Sequence, residues 1–186
     1  MLHVPYPMFL WWSKDLYMFH NDAYLPALDK KHPKALGEKA SIMWSEIWWQ
    51  IGSIVERILA GGEPFYAEEL LILLERKGFI EETYWTFSYS PAFDDRGVVN
   101  GVFCVCHEVT SALLTRRRLN TLQELSQLAH LSKSVEQVSR QGCEVLSQNS
   151  ADIPIGLIYL LNEGNKGLHL TGYTLIICHL RWINPS

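Results

Sequence analysis

Residues 81–90 read Glu81-Glu82-Thr83-Tyr84-Trp85-Thr86-Phe87-Ser88-Tyr89-Ser90. Aromatic and small polar side chains alternate here. Trp85, Phe87 and Tyr89 fall on one side, and Tyr84, Thr86, Ser88 and Ser90 on the other. A period of two is the mark of a β-strand with one buried face. Outward from this strand, residues 65–74 hold the apolar run 70–74, and residues 98–109 form a third extended stretch. Arg76-Lys77-Gly78 separates the first pair and Asp94-Asp95-Arg96-Gly97 the second. Glycine tolerates positive φ and Asp hydrogen-bonds its own backbone, so both links are turns. Three strands joined by two helix-free turns predict an antiparallel meander.

Further upstream, residues 8–12 and 16–20 are two aromatic, strand-length segments around Ser13-Lys14-Asp15, a hairpin pattern. Asn21-Asp22 offers a helix cap before Ala23-Tyr24-Leu25. Pro26, Pro33 and Gly37 keep residues 25–40 to short helical turns. Residues 45–59 carry Ile47, Ile51, Ile54, Val55 and Ile58 on one helical face, with Ser45 as cap, Trp48 at the third helical position and Gly61-Gly62 as the stop. Downstream, residues 111–131 lack Gly and Pro and are rich in Leu, which predicts a long helix. Leu128, Leu131, Val135 and Val138 continue at spacings of three, four and three, an a/d-like seam too short to specify a coiled coil. It suits either a helix packed on its own domain or a connector that pairs with a second copy. Residues 153–161 and 168–173 then read as a hairpin around the turn 162–167. One helix and two strands cannot bury a sufficient core, so residues 155–161 are expected to pack on a partner or to expose an apolar patch.

The chain has 186 residues, 48% of them apolar and 19% charged, which excludes bulk disorder. The net charge of -4 gives no electrostatic reason to expect nucleic acid as a partner. The N-terminus lacks a basic region and a cleavage site, and no run reaches the ~18 apolar residues that span a bilayer. A cytoplasmic location, with reduced thiols at Cys104, Cys106, Cys143 and Cys178, is the expectation.

The chemistry-bearing clusters are sparse. Cys104 and Cys106 share a strand face with His107 on the other, so one strand offers two thiols without the His; no metal site is read here. His107-Glu108 opens like HExxH, but position 111 is Ser111. His20, His32, His130, His169 and His179 form no i,i+4 pair. Phosphate-loop, dinucleotide and nucleophile-elbow patterns are all missing from the sequence. Glu68, Glu69, Glu81, Glu82, Asp94 and Asp95, and the run Arg116-Arg117-Arg118, read as solvated faces. No catalytic residue is assigned, and the chain is read as a non-enzyme.

Several stretches taken in order carry a resemblance. They are Phe19-His20-Asn21-Asp22-Ala23-Tyr24, His32-Pro33-Lys34-Ala35-Leu36-Gly37, Trp44-Ser45-Glu46-Ile47-Trp48, Gly61-Gly62-Glu63-Pro64 and Leu73-Leu74-Glu75-Arg76. Glu81 to Pro91, Asp94 to Gly97, Gly101-Val102 and Glu108-Val109-Thr110 complete them. Together, residues 5–109 resemble a PAS sensor domain of the subtype that precedes GAF and histidine-kinase modules in bacterial signalling proteins. Residues 131–173 resemble the opening of a GAF domain, through 147–154 and Ile158-Tyr159-Leu160-Leu161.

The resemblance implies an α+β fold. A five-stranded antiparallel sheet in the order 2-1-5-4-3 carries helices on one face, and a long connector helix and an incomplete GAF start follow. The expected divisions are 1–110 for the sensor domain, 111–130 for the connector, 131–173 for the GAF-like piece and 174–186 for a tail that departs from the family. Glu108 and Thr110 resemble the triad at the junction between sensor and helix. Asn21, Tyr24, Trp44, Trp48 and Phe87 are candidates for lining a ligand cavity. The ligand itself is unknown. Light-sensing flavin domains place a reactive cysteine after the first helices, and no cysteine precedes Cys104. Haem-binding ones use an axial His on a helix, and residues 45–59 hold none, while His32 sits in the irregular connector. Both departures argue against those cofactors. The implied function is a sensory or protein-interaction module that passes a signal to its helix, with a homodimer through residues 111–138. The alternatives are the N-terminal part of a sensor histidine kinase, whose kinase activity lies outside this chain, or a truncated product without a role.

Overall fold

A computed structural model describes residues 3–76, 78–131, 134–162 and 167–175. It divides into two units, Met1–Ser111 and Ala112–Ser186. The first holds strands β1 (Met8–Trp12), β2 (Tyr17–His20), β3 (Phe65–Arg76), β4 (Phe79–Phe93) and β5 (Val99–Glu108). They form one antiparallel sheet in the order β2-β1-β5-β4-β3, which is the PAS order that the resemblance implied. The helices between β2 and β3 are α1 (Leu25–Leu28), α2 (Ala40–Met43) and α3 (Trp48–Leu59).

Alternation along the strands decides which face is buried. Trp85, Phe87 and Tyr89 of β4, Phe9 and Trp11 of β1, and Val102, Cys104 and Cys106 of β5 all turn to the interior. There they share one core with Ile51, Val55 and Ile58 of α3. β1 and β5 approach so closely at Gly101 that an added Cβ would stand 2.4 Å from the Trp11 carbonyl oxygen. The β4–β5 link is the Asp94 turn expected from sequence: Asp94 Oδ1 accepts from the backbone N–H of Arg96 at 2.9 Å and of Val98 at 3.0 Å. β3 bulges between Ala67 and Leu70, and Glu69 takes a φ of 51°. In the turn between β3 and β4, Lys77 lies outside the described residues.

Two helix starts differ from expectation. Ser45 does not cap α3, which begins at Trp48 after Ile47, so Trp48 is its first residue and not its third. Asn21 precedes a short 3-10 turn, Asp22–Tyr24, but its side chain makes no cap bond.

The second unit contains α4 (Thr110–Leu131, whose first residues belong to the first unit), α5 (Val135–Gln148) and the antiparallel hairpin β6 (Ile155–Leu161) with β7 (Leu168–Leu175). The continuous helix expected over 111–138 is corrected here. α4 ends at Leu131, and Ser134 is an extended N-cap that accepts from Gln137 N at 3.2 Å, so a new helix starts at Val135. The solvated reading of Arg116-Arg117-Arg118 holds for the exposed Arg116 and Arg118 and is corrected for Arg117, which is partly buried. Arg117 Nε and Arg118 Nη2 donate to Asp152 at 2.8 and 3.1 Å. α5 lies tight on β7, where a Cβ at Gly172 would come within 2.7 Å of Cys143 Sγ. Residues 163–166 of the hairpin turn and 176–186 of the tail, with Cys178 and His179, lie outside the described residues.

Candidate functional site

The interior of the first unit keeps a cavity of ≈ 40 Å³ between the sheet and the helices. Phe9 and Trp11 of β1, Ile72 and Leu74 of β3, Trp85, Phe87 and Tyr89 of β4, and Cys104 and Cys106 of β5 form its sheet wall. Tyr24, Ala27, Trp44, Ile47 and Ile51 close it from the helical side. The rings pack on one another. Phe9 stacks on Trp11 with centroids 4.5 Å apart, Phe87 lies 4.7 Å from Tyr89, and Tyr24 lies 5.0 Å from Phe9. Trp44 is fixed from outside by Lys31, whose Nζ sits 4.1 Å from its ring centroid and also bonds Glu46 and the Met43 carbonyl. Burial pushes the Tyr24 and Tyr89 phenols and the Cys104 thiol upward, so all three are neutral at physiological pH. In this conformation the space is far below the ~300 Å³ of an ordinary small-molecule pocket.

Of the five cavity candidates, Tyr24, Trp44 and Phe87 line it. Asn21 and Trp48 do not, and the physical reasons differ. Asn21 is fully buried, but its side chain accepts from Met8 N at 3.0 Å and donates to the carbonyls of Val4 at 3.0 Å and Tyr6 at 2.7 Å. It pins the N-terminal segment. Trp48 sits behind the wall, its ring 5.8 Å from that of Trp11, with its indole edge over Gly52. Phe9, Trp11, Trp85, Tyr89, Cys104 and Cys106 are lining residues that went unassigned. The alternation that marks Phe87 also marks Trp85 and Tyr89, whereas Phe9, Trp11, Cys104 and Cys106 lie in the continuous apolar runs 8–12 and 102–106, whose buried face the sequence does not select.

The junction candidates meet at the other end of β5. Glu108 takes Arg76 through two bonds, Nη1 to Oε2 at 2.9 Å and Nη2 to Oε1 at 3.0 Å. Arg76 Nε also donates to Glu81 at 3.0 Å, which corrects the solvated reading of that residue. Thr110 Oγ1 donates to Glu108 at 2.8 Å and accepts from Tyr84 N at 2.9 Å, while Val109 N donates to the Tyr84 carbonyl at 2.8 Å. The bond to Glu108 holds Arg76 above its ordinary range. β3, β4 and β5 are thus tied to the first turn of α4 by one polar network.

Cys104 and Cys106 are buried on one face and His107 is exposed on the other, as the alternation predicted. Among the described residues no group of three or more His, Cys, Asp or Glu could hold a metal ion, and no helix is long and apolar enough to cross a membrane.

No family model and no curated protein matches the chain. Solved structures overlap it in part. An RNA-binding light-oxygen-voltage receptor aligns at 17% identity over 69% of this chain and 36% of its own, with a TM-score of 0.48. The chain thus spans about a third of that receptor. The PAS domain of Bordetella pertussis BvgS aligns at 20% identity over 65% and 89%, with a TM-score of 0.47. A sensory box sensor histidine kinase from Vibrio cholerae aligns at 13% identity over 56% and 82%, with a TM-score of 0.43. The strand order and the one-sided helical cover carry the PAS-like assignment, and these overlaps accompany it.

Proposed function

We propose that this chain is a sensory or protein-interaction module of a bacterial, cytoplasmic signal-transduction protein, in which a PAS-like core passes its state to α4. The observation that carries the reading is the Arg76–Glu108–Thr110–Tyr84 network. On β5 only His107 separates Cys106 in the cavity wall from Glu108 in that network. A change in the core that shifts β5 against β3 and β4 therefore changes the bonds that set the start of α4. The mechanism is a population shift: whatever binds one arrangement of the core better moves the helix with it. Pairing of α4 with a second copy through the exposed Leu119 and Leu122 would transmit that shift. The second unit, a helix and a two-stranded hairpin, fits the opening of a GAF-like domain, and the module fits the sensor part of a histidine kinase. We read the chain itself as non-catalytic, and ATP turnover by the purified chain would overturn that.

The test is amide hydrogen exchange at residues 112–120, normalised to exchange in β5. Phe87→Leu alters the cavity wall and is expected to change exchange at the start of α4. Glu108→Gln combined with Thr110→Val is expected to abolish that response. If exchange in α4 ignores the core substitution, the transfer reading fails.

A further inference from the structure

The chemical class of ligand can be drawn from the cavity wall, on the premise that the core is the sensing site. We infer that the cavity takes a small, uncharged molecule that accepts hydrogen bonds, held by the indole N–H groups of Trp11 and Trp44. No Asp, Glu, Lys, Arg or His is among the fourteen lining residues, and burial holds the Tyr24 and Tyr89 phenols and the Cys104 thiol in their neutral forms. A carboxylate or an ammonium entering here would leave water without a counter-charge, so charged ligands are disfavoured.

The three cavity indoles differ in a telling way. Trp85 Nε1 donates to Thr83 Oγ1 at 2.9 Å, and Thr83 in turn donates to the Ile72 carbonyl at 2.6 Å. Trp11 and Trp44 are 1% and 3% exposed, and neither Nε1 meets an acceptor among the described residues. Buried donors are almost always paired, so two unpaired ones on rings that line one cavity define what its occupant supplies: lone pairs from a carbonyl, an ether or a ring nitrogen. Size narrows the class. A cavity of about 150 Å³ accepts benzene and a water takes about 30 Å³ in the liquid. At ≈ 40 Å³, this one has room for one or two non-hydrogen atoms as it stands, so a four-atom acceptor enters only as the wall yields.

The experiment uses the full chain with ¹⁵N-labelled tryptophan. The indole N–H resonances are assigned by Trp11→Phe and Trp44→Phe, or by nuclear Overhauser contacts to Phe9 and Tyr24 if a variant does not fold. Three probes of one shape are titrated at pH 7: acetone, a neutral acceptor; isobutene, which has no acceptor; and acetate, an anion. Acetone is expected to move the Trp11 and Trp44 resonances downfield and saturably, while that of Trp85, already bonded, stays in place. Isobutene is expected to bind at least about tenfold more weakly, the worth of one good hydrogen bond. Isobutene binding as well as acetone, acetate moving the same resonances, or no saturable shift with acetone each overturns the ligand class. None of these results touches the exchange experiment on α4, so the sensing reading stands or falls separately.

Discussion

Asn21 shows how a single side chain can carry part of a fold without taking part in its chemistry. It is fully buried and satisfies one backbone N–H and two carbonyls from the segment ahead of β1. Removing the amide strands those groups, because no other polar side chain is shown reaching them. Asn21→Ala is expected to lower stability by about 2–3 kcal/mol, since each abandoned buried group costs about 1–3 kcal/mol and some regain water at the segment's outer edge. Urea denaturation reads this as a fall in midpoint at constant slope, and a loss under about 0.5 kcal/mol would refute it. The sequence could not reveal this role. The partners lie 13 to 17 residues away and are backbone atoms, which leave no trace in side-chain patterns. Tyr24, Trp44 and Phe87 are cavity candidates through the family resemblance, and local alternation supports Phe87 alone. Trp48 is a candidate on the same resemblance and still lies behind the wall. Its side follows from where α3 starts, and that start is set by the turn before it, not by Ser45.

At the scale of elements, strands are more legible in this sequence than helix ends. The five strands follow from aromatic or apolar runs of strand length bounded by turn residues, with two-residue alternation clear in β4, and all of these are local properties. The break between α4 and α5 was hidden by apolar spacing that runs on through Leu128, Leu131, Val135 and Val138 as if nothing intervened. The competing signal is Ser134 three residues before Gln137, and the structure uses its hydroxyl as an N-cap for the Gln137 N–H. Ser134→Ala is expected to cost about 1 kcal/mol in α5, visible as faster amide exchange over residues 135–139. No change there would mean that packing alone starts the helix. A second element-level device is the clasp of Asp152 on Arg117 and Arg118. The Arg117 guanidinium, with Arg118 beside it, holds the Asp152 carboxyl down to about 2. A carboxylate with a depressed pKa stabilises the fold fully above its unfolded value near 3.8, and that contribution disappears as pH falls through about 2. Between pH 4 and 2, the wild-type second unit is therefore expected to lose stability that Asp152→Asn lacks at every pH. Added salt should shrink the difference, because Arg118 is exposed. Parallel acid titrations of the two proteins would contradict the clasp.

On the scale of the whole molecule, apolar content is divided unequally. Among the described residues, every buried hydrophobic one except Cys143 lies in Met1–Ser111, which has the core of a small domain. In the second unit, α5 covers one face of the hairpin, at Gly172 and Thr174. The other face shows Ile155, Leu157, Tyr159, Leu161, Leu168, Leu170 and Tyr173 to solvent. Within the single chain these positions are exposed, which leaves them available for either outcome expected of residues 155–161. Patches of that extent are uncommon on monomeric proteins and promote association. The two units are accordingly expected to unfold separately. Residues 1–111 should melt cooperatively, while the second unit loses structure at lower denaturant. Replacing Leu157 and Leu170 together by Lys, at positions already in solvent, places charge on the patch without touching either core. The double variant is expected to bind less anilinonaphthalene sulfonate and to show less concentration-dependent light scattering, with the transition of the first unit unchanged. Equal dye binding and scattering in the two proteins would place the sticky surface elsewhere, with Leu119 and Leu122 on α4 the next site to charge.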